Sequence, residues 1–363
     1  MSEAFKGLAE AYASLQGARS AWFVRARHVP ETIAKLGLIG PSDRLVVRAN
    51  DFTDAYLHHF GNGVLTFAMD QTPEAFLDAT RSSAHPAAGG PKEGHASYAD
   101  GAGARYDRLF WLVNSIGCRG LRVPDIRALA EAAREAGAIL VVDNTVASAW
   151  GCQPLSLGAH IVLEALDRVA GGALHAKAVA IAVARSVSGK GRKRRTDELA
   201  HRAYCLLAQR LGGEFSQLVF NVDDADLAII REGLQTLGER MQRHTDHARV
   251  IAEYLAAHPL VPQTCYPGLK SHPDHDVAAR TLMHGFGPAV DFELAERMCA
   301  GTFIRRCAAS HRDHPAGGRA TRLSPLCGDE SHYIRLFAGL DDPIDIVDSL
   351  EQAMRLYCNP PHA

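Results

Sequence analysis

The sequence predicts an α/β protein with a large domain built on a mostly parallel sheet and a smaller C-terminal α+β domain. Three observations carry this prediction. Apolar runs of strand length alternate with stretches of helical period through the first half of the chain. One run, AILVVDN at 138–144, is apolar almost without break, as a strand covered on both faces must be. The pattern then changes near residue 223, and 363 residues exceed what one small domain requires, so the division expected is 1–222 and 223–363.

Taken in order, MSEAFKGLAEAYASLQ is polar with helical spacing and contains no apolar core of a secretory signal. RLVVRA at 44–49, VLTFAM at 64–69 and RLFWLV at 108–113 are the first strand candidates. Residues 82–105 are aperiodic and rich in Gly, Ala, Ser and Pro, which predicts a mobile surface loop. Ile126, Leu129, Ala130 and Ala133 fall at helical spacing in IRALAEAAREAG, Gly137 ends that helix, and AILVVDN follows. HIVLEA at 160–165 and AVAIAV at 178–183 complete the strands of the large domain. SGKGRKRR at 188–195 is basic and irregular; it lacks the spacing of a phosphate loop and reads as solvated. From about Asp224 to Leu255 the period is that of one long helix or two joined helices, and beyond it short strands and helices alternate.

With 47% apolar and 22% charged residues the composition is that of an ordinary globular protein. A formal net charge of -2 gives no basis for nucleic acid or a membrane surface as partner. No run approaches the roughly 18 apolar residues of a bilayer span. The 8 cysteines are scattered without a CxxC or other paired spacing, as expected of reduced thiols in a cytoplasmic protein.

Five segments carry a resemblance: VPDIRALAEAAREAGAILVVDNT, QPLSLGAHIVLEA, QTLGERMQRHTDHARVIAEYLAAHPLV, YPGLKSHPDHDVAAR and HYIRLFAGLDDPIDIVDSLEQAM. From about residue 8 to residue 357 the chain resembles the Cys/Met-metabolism (transsulfuration) family of pyridoxal-phosphate (PLP) enzymes. That family includes the cystathionine synthases and lyases, methionine γ-lyase and the O-acetylhomoserine sulfhydrylases. The resemblance implies a fold-type I, aminotransferase-like architecture, with the cofactor on the large domain and the smaller domain closing over it. It also implies an active site formed across a dimer, often within a tetramer, and substrates of the cysteine or homoserine type.

Residue by residue the resemblance is uneven. The family's cofactor lysine, in a Ser-Ala-Thr-Lys run, falls on Ala165-Leu166-Asp167-Arg168. An imine needs a primary amine that can lose its proton, and a guanidinium stays charged. The serine and threonine that hold the phosphate in that run are replaced too. The family's Ser-Gly-Met turn, an anion site built from free N–H groups at a helix N-terminus, falls on Arg25-Ala26-Arg27-His28. The Tyr-x-Arg arm of the family has no counterpart in this chain, and Cys118 stands for the asparagine beside the cofactor's phenolic oxygen. Four positions are kept by the resemblance. Asp143 matches the aspartate on the pyridine nitrogen, and Phe52 stands where a tyrosine stacks on the ring. Arg335 matches the arginine that holds the substrate α-carboxylate, with Ser310 beside it.

Each of these also has a structural reading. Asp143 opens a strand-to-helix loop, where aspartate is a common cap or turn former. Arg335 begins a strand that packing alone would require, and Arg168 suits a solvated or ion-paired arginine. Arg25, Arg27 and Arg168 together make a candidate anion position. Lys177 lies at the start of the outgoing strand, a different address from that of the family lysine. His272-x-x-His275-Asp276 and His311-x-x-His314 contain residue types that suit zinc. The first falls in a structural segment and the second lacks a third ligand, so no metal is expected.

The function expected is that of a degenerate family member with no covalently held PLP. It would be a cytoplasmic homo-oligomer, dimer or tetramer, that binds a small anion or amino acid or partners an intact paralogue. Two alternatives stay open: a lysine-independent enzyme in the same cleft, and a PLP-dependent C–S lyase or γ-replacement enzyme.

Overall fold

A computed structural model describes residues 3–49, 51–52, 57–60, 64–82, 106–168, 177–188, 195–212, 221–296, 298–308 and 316–358. The large sheet contains β1 (Ser20–Val24), β2 (Arg44–Arg48), β3 (Val64–Ala68), β4 (Leu109–Asn114), β5 (Ala138–Asp143), β6 (Ile161–Ala165) and β7 (Val179–Val183). Their spatial order is β1-β7-β6-β5-β4-β2-β3. Strands β2 to β6 run parallel, whereas β7 and β1 each pair antiparallel with their neighbour. The sheet is mostly parallel, as its sequence pattern requires.

Alternation along these strands explains their continuous apolar character. Phe110, Leu112, Ile139, Val141, Ile161 and Leu163 face one core, which also holds Ile33 of α2 (Val29–Leu36). Leu109, Trp111, Val113, Leu140, Val142 and Val162 face the other core. That second face is covered by α1 (Glu3–Leu15), α3 (Pro73–Arg81) and α4 (Ile126–Ala136). Because both faces are buried, period-two side chains are apolar on both sides. Helix α4 is bounded by its own sequence: Asp125 caps it by accepting the Ala128 N–H, and Gly137 closes it with φ 70, in the left-handed region. Strand β1 is absent from the sequence-level expectation. It is a five-residue edge strand with only alternate burial at its start, too short for its period to stand out.

After β5 comes a single helical turn, α5 (Ser148–Gly151). The basic stretch 188–195 is flanked by a two-stranded ribbon, β8 (Val187–Ser188) with β9 (Arg195–Thr196), and residues 189–194 lie outside the described residues. Most of the stretch read as a mobile loop, 83–105, also lies outside them. Helix α6 (Glu198–Leu211) follows, and the long periodic stretch is two helices, α7 (Asp224–Gln235) and α8 (Leu237–Ala257), joined at Thr236. Among the described residues no helix is long and apolar enough to cross a membrane.

The second sheet is antiparallel throughout. It comprises β10 (Gln263–Cys265), β11 (Ala289–Glu293), β12 (Arg322–Pro325) and β13 (Tyr333–Phe337) in the order β10-β11-β13-β12. Ile251 and Leu255 of α8, Phe303 of α10 (Ala300–Arg306) and Leu350 of α11 (Pro343–Cys358) close its core over Phe292 and Leu336. Helix α9 (His275–Thr281) packs Ala278 in the large core.

Candidate functional site

The carboxyl ends of β4 and β5 lie side by side, because their parallel register pairs Asn114 with Asp143. In an open parallel sheet this edge is where ligands bind. Asp143 is oriented by its own turn: Oδ1 accepts the Thr145 N–H at 3.0 Å and the Thr145 hydroxyl at 2.6 Å. That hydroxyl in turn accepts the Ala165 N–H at 3.1 Å, tying the aspartate to the end of β6. Burial pushes the Asp143 pKa up; the two Thr145 bonds and the charge of Arg168 offset this only in part. Asp143 is thus a desolvated carboxylate whose direct partners are neutral donors.

The loop after β4 runs past a second acid. Asp51 pairs with Arg48 at 3.0 Å, yet burial raises its pKa to about 6. Gly117 lets this pair pack closely, since a Cβ there would lie 3.0 Å from Asp51 Oδ1 and 3.2 Å from the Arg122 carbonyl. The next residue, Cys118, has its thiol pushed up to about 11 by burial. Arg335 works against that rise, and Asp51, Asp143 and Asp291 add to it. These five residues, three at or beyond strand ends of the large sheet and two at mid-strand in the small sheet, therefore share one electrostatic neighbourhood, in which Cys118 is a neutral thiol.

The segment before α9 and the small sheet together grip this loop. Arg122 Nε and Nη2 donate to Asp274 at 2.5 and 3.0 Å, and the Val123 N–H donates to the same carboxylate at 3.0 Å. His272 Nε2 meets the Gly120 carbonyl at 2.8 Å, and the Gly120 N–H donates to Asp291 Oδ2 at 3.1 Å. Arg335 donates through Nη2 to the Cys118 carbonyl. Its Nε and Nη2 also donate to Asp291 Oδ1 and Oδ2, both at 2.7 Å. Burial alone would lower the Arg335 pKa; the Asp291 carboxylate outweighs it and keeps the guanidinium charged.

A comparable arrangement closes the start of α2. His28 is its N-cap, and Nδ1 accepts the Glu31 N–H at 3.1 Å. Glu31 reaches back past the cap so that Oε2 accepts the Arg27 N–H at 2.8 Å, which resembles a capping box but is displaced by one residue. Burial disfavours the Glu31 charge, but Lys35 at 2.6 Å and the Arg27 N–H hold its pKa below the usual carboxylate range. An ionised carboxylate already stands at the helix N-terminus.

The sequence-derived arginines divide here. Arg168 is partly buried, 3.8 Å from Asp167, and acts electrostatically on both Asp143 and His28. Arg25 is exposed and pairs with Asp223 at 3.0 Å, and Arg27 is exposed. Phe52 is buried, and its ring meets Phe60 edge-on at 5.1 Å. Lys177 is exposed. His272 and His275 each turn a ring nitrogen to a backbone carbonyl, those of Gly120 and Pro267. Ser310, His311 and His314 lie outside the described residues.

Sequence reasoning missed Asp51, Asp291 and Glu31. Glu31 carried a signal, since it stands three residues after His28 just ahead of an apolar helical run. Asp291 carried a fainter one, an acid flanked by the apolar Val290 and Phe292 in PAVDFEL.

Residues 106–318 match the profile of a family described as Cys/Met metabolism PLP-dependent enzyme. Cystathionine gamma-synthase of Mycobacterium tuberculosis is 34% identical over 250 residues, which cover 64% of this chain and 58% of that protein. O-acetyl-L-homoserine sulfhydrylase 1 of Thermus thermophilus is 26% identical over 94% of this chain and 84% of its own length. The crystal structure of an apo methionine gamma lyase from Micromonospora echinospora aligns with a TM-score of 0.78 at 24% identity, covering 98% of this chain and 86% of that one. A cystathionine gamma synthase from Xanthomonas oryzae pv. oryzae aligns at 0.76 and 23% identity, covering 98% and 87%. This chain thus spans 58% of the length of the curated cystathionine gamma-synthases that it matches.

Proposed function

Because the chain belongs to the Cys/Met-metabolism family of PLP-dependent enzymes, we propose that it is a member with no imine-bound PLP at residue 168. In this reading it serves as a ligand-binding or partner subunit in sulfur amino-acid metabolism, assembled as a homo-oligomer. The observation that carries the proposal is Glu31 Oε2 lying 2.8 Å from the Arg27 N–H. The carboxylate stands on a backbone N–H within residues 25–28, the stretch that resembles the family's phosphate turn, and like charges brought into contact cost several kcal/mol. Arg168 supports the same reading, because a guanidinium offers no amine to an aldehyde. The residues present do not fit a phosphate-bearing aldehyde held in the family's manner. What the cleft retains is Asp143, a desolvated carboxylate oriented by Thr145, as a polar anchor for a small ligand.

The test is reduction with borohydride after incubation with PLP, followed by peptide mapping. The expected result is no stoichiometric pyridoxyl label on any cleft peptide. A stoichiometric label on Lys177 would overturn the proposal. It would favour a second reading, a PLP-dependent C–S lyase or γ-replacement enzyme, for which similarity to cystathionine gamma-synthases and the placement of Asp143 speak.

A further inference from the structure

Helix α1 is closed off as a separate unit. At its end the Ala18 N–H donates to the Ala13 carbonyl at 2.8 Å and the Gly17 N–H to the Ser14 carbonyl at 3.1 Å. Gly17 sits in the left-handed region with φ 63, the conformation this helix ending requires. Gln153 Nε2 ties the same end down by donating to the Leu15 carbonyl at 3.0 Å. The rest of the helix is held less closely. Between α1 and α7 runs a groove of about 460 Å³, with Gly7, Ala11 and Leu15 on one side and Arg231 and Leu234 on the other. A Cβ on Gly7 would meet nothing within 4 Å. The inner face of α1, with Leu8, Tyr12 and Ala13, packs into the large core.

Under that face lies Glu164 of β6. Glu164, Tyr12 and Gln16 are each fully buried. The Tyr12 hydroxyl donates to Glu164 Oε2 at 2.5 Å, and Gln16 Nε2 reaches the same oxygen at 3.4 Å and the Tyr12 oxygen at 3.1 Å. Two acceptors, Glu164 Oε1 and Gln16 Oε1, receive no hydrogen bond of ordinary length from any described residue. The groups that act most strongly on Glu164 are Tyr12 and Gln16 on α1, the Ala149 N–H on α5 and the Asp143 carboxylate on β5. None is a cation, and Asp143 is repulsive. A proton on Glu164 removes the buried charge and turns one stranded acceptor into a donor. The docked helix therefore suits a neutral Glu164, whereas an ionised one favours the water that the docked helix excludes.

We propose that α1 is a pH-gated strap, docked while Glu164 carries its proton and lifting about Gly17 when that proton is lost. Docked, Glu164 keeps its proton up to about pH 8; lifted into water, it titrates near its ordinary 4.5. Lifting thus releases a proton, so it becomes progressively easier from about pH 5 to about pH 8 and changes no further above that. The movement bears on the cleft, because the next residue, Ala165, gives its N–H to the Thr145 hydroxyl that orients Asp143.

The test is hydrogen exchange by mass spectrometry on the whole protein, comparing α1 with β5. Between about pH 5 and about pH 8, after correction for intrinsic rates, α1 amides are expected to lose up to about tenfold of protection per pH unit. At the upper end of that range their exchange should ignore sub-denaturing urea, the mark of a local opening, while that of β5 amides quickens. Glu164→Gln should abolish the pH-linked loss in α1. Tyr12→Phe removes a donor that favours the charged form and should carry the loss to higher pH. This second variant decides the matter if Glu164→Gln does not fold. The strap is overturned if α1 and β5 respond to urea alike, if the loss persists in Glu164→Gln, or if Tyr12→Phe leaves its pH range unmoved.

Discussion

Asp291 and Arg335 stand directly opposite each other on β11 and β13, with Nε to Oδ1 and Nη2 to Oδ2 both at 2.7 Å. They are 44 residues apart in sequence and become nearest neighbours only through the antiparallel register. Since both are buried, each charge depends on the other, and through Gly120 and Cys118 the pair also joins the small sheet to the loop after β4.

Breaking that pair from one side leaves an uncompensated buried charge. Arg335→Ala and Asp291→Ala are each expected to cost about 3–5 kcal/mol in urea unfolding. The double variant is expected to cost clearly less than the sum of the two. Additive losses would show that the two side chains are not coupled.

Glu164 on β6 supplies a pH dependence. It is fully buried, accepts the Tyr12 hydroxyl at 2.5 Å and Gln16 Nε2 at 3.4 Å, and has no cationic partner in these contacts. Burial is the main reason its pKa rises from 4.5 to about 8, and the Tyr12 hydrogen bond offsets it only partly. A raised carboxyl pKa means the folded state keeps a proton that the unfolded chain releases. Its contribution to stability is complete below pH 4.5 and is lost as pH rises through about 8. The slope is at most about 1.4 kcal/mol per pH unit. Glu164→Gln is expected to flatten the stability profile between pH 5 and pH 8. Parallel profiles for wild type and variant would exclude Glu164 as the source.

Restoring an amine is expected to be insufficient for cofactor binding. In the proposed reading Arg168→Lys supplies an amine where the family's lysine is expected, while Glu31 still holds the Arg27 N–H. With PLP followed by borohydride, the single variant should gain no stoichiometric label at residue 168. Arg168→Lys/Glu31→Ala should gain one. A label in the single variant would show that Glu31 does not obstruct the phosphate.

A homo-oligomer is expected in solution, and an isologous dimer is the commonest closed assembly. Light scattering at micromolar protein should give at least twice the 39.2 kDa chain mass. A monomer would refute the oligomeric part of the proposed function.

Several features were determined by residues close together in sequence. Helix α4 and strand β5 could be read directly, because Asp125 and Gly137 bound the helix and the AILVVD run needs only apolar neighbours on both faces. The residue types at positions 143 and 168, on which the proposed function draws, are legible for the same reason, each lying within a recognisable segment. Capping by His28 and Glu31 is equally local and lay within reach. What only the tertiary structure decided was which charge meets which. Arg25 meets Asp223 from 198 residues away, Arg122 meets Asp274 from 152, and Arg335 meets Asp291 by register. Backbone propensity and apolar period act over one or two turns of chain, so they appear in sequence. A buried ion pair is selected by the position to which the packed sheets carry each side chain, and that depends on contacts across the whole fold.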